Sequence, residues 1–523
     1  MNRSLAGSTD PGARGDLSAR AILAFVAICA IEKAFAGLAT GFTGDEAYTL
    51  VIARSLALSY FDHPPLHQWI LHGFVALSGE SRWARAPFWL MFVAINAPLF
   101  GLTRRLFGAQ AALWAMFAFN ATTYFLILPD GFIIPDAPSL LFLAVAAWTI
   151  AEILFGPAER EGKAGKLWLA AGVALGCAGL AKYAALFAPI GFLGFLVGSP
   201  RHRHWLSDVR PYLGAVVALL IFSPALLWNY QNHWVSFSFQ STRAATALTF
   251  GADAWADVAA ELGEQVLLLS PWIVAPIVLG MARAMRADAD SGERFLVWLA
   301  TPPVVLFALL PLLGQRAIPH WFNSGWLFAF PLAGYWLSAR SAGWLKNWGR
   351  VAAALAAAVV ALYFAIVIVG PFRLLGVAPG GAHDPTEFSF DWPDLRSAGG
   401  WRSQGAAPDF LVVDNWRIGG KLGVALGPKV PICAFSSDPW DPRGFAFTCD
   451  PAAWLGKDAL IALPEENAAS ALAALARYFE RIDPGEDVAI GRGDVVENVL
   501  TVSRAHNLLR PYPLPYGPAQ AGP

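Results

Sequence analysis

A helical protein that crosses a membrane many times and carries a small C-terminal α/β domain is the fold class this sequence predicts. Three observations predict it. Of 523 residues, 56% are hydrophobic and only 14% charged, with 22 Trp and a mean hydropathy of +0.48. Several apolar runs reach the ~20 residues that span a bilayer. From about Gly370 these runs stop, and a Pro-, Gly- and Asp-rich stretch leads into alternating, strand-like segments. A formal charge of -1 excludes a broad basic surface, and with it nucleic acid as a partner.

In chain order, residues 1–20 are polar, with Arg3, Arg14 and Arg20, and read as a cytoplasmic tail. The transmembrane domain is expected over 21–370. Its first span is Ala21–Phe42, where Glu32 and Lys33 interrupt the apolar run and argue against a cleaved signal peptide. The polar centre of the chain, Gly44–Leu66, comes next. Thr43 stands three residues before Glu46, a capping-box spacing, so a helix opens at Asp45-Glu46 and is expected through the apolar run Ala47–Leu58. Tyr60-Phe61-Asp62-His63-Pro64-Pro65 ends it, because the residue before proline avoids helical conformation. Leu66–Gly79 reads as an interfacial helix. Later spans read as Ala84–Gly101, Ala109–Leu128, Ala137–Phe155, Leu167–Ala181, Ala184–Val197, Tyr212–Trp228, Val266–Met281, Phe295–Leu313, Trp321–Leu337 and Val351–Val369, about eleven or more in all.

Positive charge orients these spans. Arg104/Arg105, Arg160/Lys163/Lys166, Arg201/Arg203/Arg210, Arg283/Arg286/Arg294 and Arg340/Lys346/Arg350 fall on one side if Leu167–Val197 is two short spans joined near Lys182-Tyr183. The positive-inside rule makes that side cytoplasmic. The opposite loops then hold Asp45, Glu46, Asp62, His63, Asp130, Asp136, Lys182, Arg243, Arg316 and His320. The distinctive polar chemistry therefore gathers on the extracytoplasmic face.

Residues 371–405 read as a linker and 406–523 as an extracytoplasmic α/β domain. Strands are expected at Phe410–Asn415, Pro431–Phe435, Leu460–Ala462 and Val495–Val502, and an amphipathic helix at Ala468–Ile482. Gly419-Gly420-Lys421 follows a strand but lacks the flanking glycine and Ser/Thr of a phosphate loop, and is set aside. Cys29 and Cys177 lie in spans and read as small apolar residues. Cys433 and Cys449 are the cysteines of the domain that span parity puts outside, where a disulfide can persist.

Acids clustered beside a membrane are costly unless paired or used. A carboxylate at that depth can take a proton from an acceptor hydroxyl or stabilise charge developing at a sugar carbon. Lys182, Arg243 and Arg316 suit a leaving phosphate. Each residue also has a structural reading. Glu46 can be only a cap, Asp62 only a turn former, Lys182 a snorkelling helix end, and the arginines solvated loop charges.

Asp45-Glu46-Ala47-Tyr48, then Tyr60-Phe61-Asp62-His63-Pro64-Pro65, then Pro135-Asp136-Ala137-Pro138 resemble the bacterial branch of the membrane C-type glycosyltransferases. That superfamily includes the dolichyl-phosphate-mannose protein mannosyltransferases and the polyprenyl-phosphate aminoarabinose lipid A transferases. Lys182-Tyr183, Asn232–Ser236 with Gln240 and Arg243, and Pro319-His320-Trp321 extend the resemblance over roughly residues 20–370. It implies inverting transfer of a sugar from a polyprenyl-phosphate donor to an extracytoplasmic acceptor: lipid A or lipopolysaccharide core, another lipid, or protein. It also implies a bacterial inner-membrane enzyme with its site and C-terminal domain facing the periplasm. Asp45, Glu46, Asp62 and Asp136 are the implied catalytic acids. His63, Lys182, Tyr183, Arg243, Arg316 and His320 are implied at the donor phosphate. His63 departs from the lysine that the lipid A transferases place there, and a neutral imidazole is a weaker anion ligand. No cofactor is implied, although His63 and His67 leave a divalent metal open. The alternative class, a secondary transporter, would favour charges near the midplane over charges at span ends.

Overall fold

The computed structural model describes residues 11–127, 132–157, 161–244, 250–369, 391–392, 408–492 and 495–517. Asp130 and nearly all of the expected linker lie outside them. Six unbroken helical segments are long and apolar enough to cross a membrane: Ala19–Ala39, Arg82–Phe107, Asp136–Phe155, Ala164–Ala181, Val209–Gln231 and Ala342–Ile366. The first belongs to helix α1, Pro11–Ala39. A seventh arises if Ala252–Leu269 and Pro271–Ala284, which meet at 109°, are taken as one.

The remaining expected spans coincide with helices that are short or broken, because hydropathy reports apolarity and not continuity. Ala109–Asn120 stops before Thr123–Ile127, and Ser270, with φ of +70°, breaks the bent pair. The two breaks face each other. Thr123 N donates to Ser270 Oγ at 2.8 Å, and Trp272 Nε1 donates to Ala121 O at 3.3 Å. Backbone groups released by one break are thus met by the other, the condition for irregular chain at membrane depth.

Two short helices line the loop face of the bundle. Helix α2, Gly44–Ile52, has the expected capping box: Thr43 Oγ1 accepts from Glu46 N, and Glu46 Oε2 accepts from Thr43 N. It ends at Ile52 instead of running to Leu58. Side chains take over the backbone groups there: Tyr60 Oη accepts from Ala57 N and donates to Ser55 O, while Trp69 Nε1 donates to Ala57 O at 2.8 Å. Helix α3, Leu66–Ser78, begins directly after Pro65 and supplies that Trp69.

The C-terminal domain is a mixed six-stranded sheet of order β2-β1-β3-β6-β4, with β5 also on β6. Its strands are β1 Phe410–Val413, β2 Ile432–Ala434, β3 Ala459–Pro464, β4 Phe479–Ile482, β5 Glu486–Arg492 and β6 Val495–Leu508. β1 runs parallel to β2 and β3, and β6 is antiparallel to β3, β4 and β5. The expected helix over 468–482 is instead Glu465–Leu475 followed by β4, since Phe479 and Ile482 pair with Leu508 and Ala505 of β6. Strand β5, a polar hairpin partner, carries little apolar alternation and was not expected.

The domain sits against α2 through the helix Trp416–Leu426. A Cβ on Gly420 would lie 2.4 Å from Tyr48 N, so only glycine permits this approach. Lys421 Nζ donates to Phe42 O. The Gly-Gly-Lys run thus serves helix packing in the structure. A second seam stacks Phe61 on Tyr516, ring centroids 4.6 Å apart.

Cys433 and Cys449 form a disulfide with a Cα separation of 5.3 Å, while Cys29 and Cys177 are free. Replacing both bridged cysteines by serine is expected to destabilise the domain by about 3 kcal/mol, the entropy of a loop this size. In intact cells both thiols are expected to resist alkylation until a reductant is added. Labelling of either without reductant would contradict the bridge.

Candidate active site

Glu46 and Asp45 are neighbours on the first turn of α2, yet they face different surroundings. Glu46 is 0% exposed and Arg85 only 1%. Arg85 Nε donates to Oε1 at 2.7 Å and its Nη2 to Oε2 at 2.6 Å. Phe132 N adds a bond to Oε1 at 2.9 Å, and Arg85 also donates to the carbonyls of Gly37, Thr40 and Gly41. Burial alone would raise the Glu46 carboxyl. The Arg85 charge and these hydrogen bonds outweigh it and hold the group below its ordinary value. Every lone pair direction is occupied, so the expected catalytic role of Glu46 is replaced by a structural one. Its partner stands 39 residues away and could not be read from the local motif. Asp45, by contrast, is exposed on the same turn.

Asp62 lies under the C-terminal domain, 5% exposed. Tyr48 Oη donates to its Oδ2, and Arg443 Nη1 donates to its Oδ1 at 3.0 Å. Tyr48 Oη in turn accepts from Gly444 N at 2.8 Å. Burial first, and then the adjacent Asp62 charge, raise the Tyr48 hydroxyl well above its ordinary value, so it stays protonated and donates. Gln240 Nε2 holds the Asp62 backbone carbonyl at 2.9 Å. Gln240 and Arg243 share the helix Val235–Ala244, which follows a turn where His233 and Trp234 both have positive φ. That left-handed pair reverses the chain at a cost accepted for position.

Lys182 and Asp136 form a second buried pair, Nζ to Oδ2 at 2.7 Å. Asp136 opens the helix Asp136–Phe155, where the helix dipole favours a carboxylate. Lys182 ends Ala164–Ala181 in extended conformation, and Tyr183 begins a 3₁₀ turn whose hydroxyl accepts from Asn229 Nδ2 at 3.4 Å.

Two further residues, His63 and Arg243, join these acids and bases. His63 is held well below its ordinary value, first by burial and then by the charges of His67, Lys182, Arg243 and His320, and its ring lies edge-on to that of His67 with centroids 5.6 Å apart. Arg243 lies over the rings of Trp321 at 4.9 Å and Phe239 at 5.3 Å. Burial first, then the charge of Arg443, lowers it, with Asp62 and Asp45 opposing. Arg243 and Arg443 share the Phe239 ring, at 5.3 and 5.4 Å, and Arg443 also donates to Asp62. Arg316 is not among them: it pairs with Glu264 at 2.8 Å, both about half exposed, beside a separate surface pocket of about 540 Å³. Its expected place at the donor phosphate is corrected accordingly, since a surface carboxylate takes the guanidinium instead. Among the described residues, no three His, Cys, Asp or Glu side chains are grouped to hold a metal.

Sequence reasoning missed Arg85, Arg443 and the role of Tyr48. Arg85 carried one signal, an arginine at the start of an otherwise apolar span. Arg443 carried none.

Fold and site together define a polytopic membrane transferase whose buried acid–base cluster lies between its loop helices and a docked α/β domain. The family model for dolichyl-phosphate-mannose-protein mannosyltransferase matches residues 62–228. The lipid A galacturonosyltransferase RgtD of Rhizobium johnstonii is 26% identical over 395 residues, 72% of this chain and 76% of the relative. The lipopolysaccharide core galacturonosyltransferase RgtB of the same organism is 28% identical over 299 residues, 55% and 58% of the two chains. The crystal structure of ArnT from Cupriavidus metallidurans bound to undecaprenyl phosphate superposes with a TM-score of 0.64 at 17% identity, covering 92% of this chain and 97% of that one. The chain thus shares the fold of ArnT and is similar in sequence to the two galacturonosyltransferases.

The two adjacent acids of α2 are expected to behave differently on substitution. Glu46→Gln leaves Arg85 buried without its charge and should cost roughly 3–5 kcal/mol of stability. Asp45→Asn removes a charge from the exposed first turn of α2, where the helix dipole favours it, and should cost less, about 1 kcal/mol. Thermal unfolding in detergent measures both, and equal melting temperatures would contradict the assignment.

Proposed function

We propose that this enzyme transfers a hexuronic sugar from a polyprenyl-phosphate donor to lipid A or lipopolysaccharide core, on the periplasmic side of a bacterial inner membrane. The observation that carries the reading is the set of buried acid–base contacts: Asp62 held by Tyr48 and Arg443, Arg243 and Arg443 over the same Phe239 ring, and the Lys182–Asp136 pair. The similarity to two galacturonosyltransferases supports the sugar and acceptor classes, and the ArnT-like fold supports a lipid-linked donor.

The mechanism is a single displacement. Asp45, exposed on the capped turn of α2, takes the proton of an acceptor hydroxyl. The freed oxygen bonds to the anomeric carbon from the face opposite the phosphate. The bond from that carbon to the phosphate oxygen breaks, its electron pair leaves with the polyprenyl phosphate, and configuration inverts. Arg243, already among rings and short of a carboxylate partner within ion-pair distance among the described residues, meets the growing phosphate charge. Lys182 supports it from its pair with Asp136. His63, neutral, accepts or donates one hydrogen bond at the phosphate without adding charge. Asp62, with Tyr48 and Arg443 on its two oxygens, orients and does not take the proton. Tyr183 and His320 line the same end of the cleft. Arg316 has no part in the step.

Asp45→Asn is expected to lower turnover by about 10²–10⁴, the usual contribution of a positioned base, with folding intact. Purified protein assayed with polyprenyl-phosphate sugar and lipid A measures it, and near-wild-type turnover would remove Asp45 from the role. Arg243→Ala should raise the apparent constant for the donor while leaving that for the acceptor close to its starting value. A rise confined to the acceptor constant would contradict the phosphate assignment.

A further inference from the structure

The surface pocket beside Arg316 is one half of a larger feature. Asp253 and Asp257, from the helix Ala252–Leu269, line it together with Gln315 and Arg316. Phe250, another wall of this pocket, also borders a second cavity of about 490 Å³, so the two adjoin. The chain passes from one to the other. Leu309, Leu312 and Leu313 line the second cavity, and Gly314, Gln315 and Arg316 line the first.

The second cavity is an apolar groove on one face of the helix Ser291–Ala308, which covers most of the expected span Phe295–Leu313. Its lining residues Trp298, Thr301, Pro302 and Val305 recur at helical spacing, while Phe295, Leu299 and Pro303 turn to the core. Trp298, Val305, Leu306 and Leu309 are exposed. At span depth such side chains meet hydrocarbon. An apolar groove that ends in a polar pocket matches an amphiphile, with a chain in the groove and a head in the pocket. At about 540 Å³ the pocket is within the size range of ligand sites.

The polar end selects between the two lipids of the reaction. Asp253 and Asp257 share the pocket with one cation, Arg316, whose Nη2 already donates to Glu264 Oε1 at 2.8 Å. The donor lipid carries its phosphate where chain meets head, and two carboxylates there oppose it. An acylated saccharide joins chain to sugar through a neutral ester or amide, and its hydroxyls donate to carboxylates. The pocket is also tied to the donor end of the site by one pinned segment. Ala317 N, next to Arg316, donates to Glu261 Oε1 at 2.6 Å, and Gln265 Nε2 donates to Pro319 O at 3.1 Å. Trp321, in the same segment, is the ring beneath Arg243. We propose that this groove and pocket are the docking site of the acceptor: one acyl chain lies along Ser291–Ala308, and the saccharide that bears it lies against Asp253 and Asp257. This rests on the reading above that the acceptor is lipid A or lipopolysaccharide core.

The test uses the full-length enzyme purified in detergent, with lipid A, polyprenyl phosphate and phosphatidylethanolamine as probes. Native mass spectrometry counts bound lipid, and the apparent constants for donor and acceptor are measured in parallel. Val305→Trp fills the groove from an exposed position. Asp253→Asn combined with Asp257→Asn neutralises the pocket at constant size. Each variant is expected to weaken lipid A binding and raise the acceptor constant roughly 10-fold, with polyprenyl phosphate binding and the donor constant close to wild type. Unchanged lipid A binding in both variants would overturn the proposal. Loss of polyprenyl phosphate binding would overturn it by making the groove a donor site, and equal weakening of phosphatidylethanolamine by making it a seat for ordinary membrane lipid. A wild-type enzyme that transfers nothing to lipid A would instead overturn the functional reading, before any variant is made, and the binding measurements would still decide whether the groove holds an acylated saccharide.

Discussion

The buried pair between Glu46 and Arg85 is the contact on which the geometry of the cleft depends. One guanidinium bonds the carboxylate of α2, and three carbonyls at the end of α1. One carboxylate caps α2 and accepts from the Phe132 amide just before Asp136. Four segments far apart in sequence are therefore tied at a single point out of contact with water. A buried ion pair is weak evidence for net stability, because desolvation offsets much of the attraction. What it provides here is position. Asp45, one residue from the tie, cannot move without moving Glu46.

The C-terminal domain completes the cleft from the other side. Gly420 lets the Trp416–Leu426 helix approach α2 closely, Lys421 holds Phe42 O, and Phe61 stacks on Tyr516. Arg443 and the Gly444 amide then set the donors that surround Asp62 and Tyr48. The domain is thus packed onto the loop helices and supplies partners to Asp62 and Tyr48. A bridge between Cys433 and Cys449 closes the base of the loop that carries Arg443.

Much of this was legible in sequence, and what was not has physical reasons. Local signals held: the Thr43–Glu46 capping box, the stop at Pro64-Pro65, and the start of α3 after it are all present. Two of the motifs also meet in space, since Lys182 pairs with Asp136, and Gln240, three residues before Arg243, holds the Asp62 carbonyl. Roles that depend on a distant partner were misread. Glu46 looked catalytic because Arg85 was invisible to a local motif, and Arg316 looked like a phosphate ligand until Glu264 was seen beside it. Gly419-Gly420-Lys421 looked like a failed phosphate loop when it is a helix contact. The expected spans Ala109–Leu128 and Val266–Met281 are interrupted at Ala121 and Ser270, breaks that tertiary hydrogen bonds bridge and apolarity does not reveal. Nothing in the pattern around Arg443 marked it, since its partner lies in another domain.

The account as a whole rests on one chemical event, the attachment of a hexuronic sugar to lipopolysaccharide from a lipid-linked donor. Mass spectrometry of lipid A and core from a strain lacking this gene, with and without the gene restored, tests it directly. The predicted result is loss of one hexuronosyl residue from lipopolysaccharide, its return on complementation, and accumulation of the polyprenyl-phosphate hexuronic acid in the deletion strain. Lipid A and core of unchanged mass in the deletion strain would contradict it.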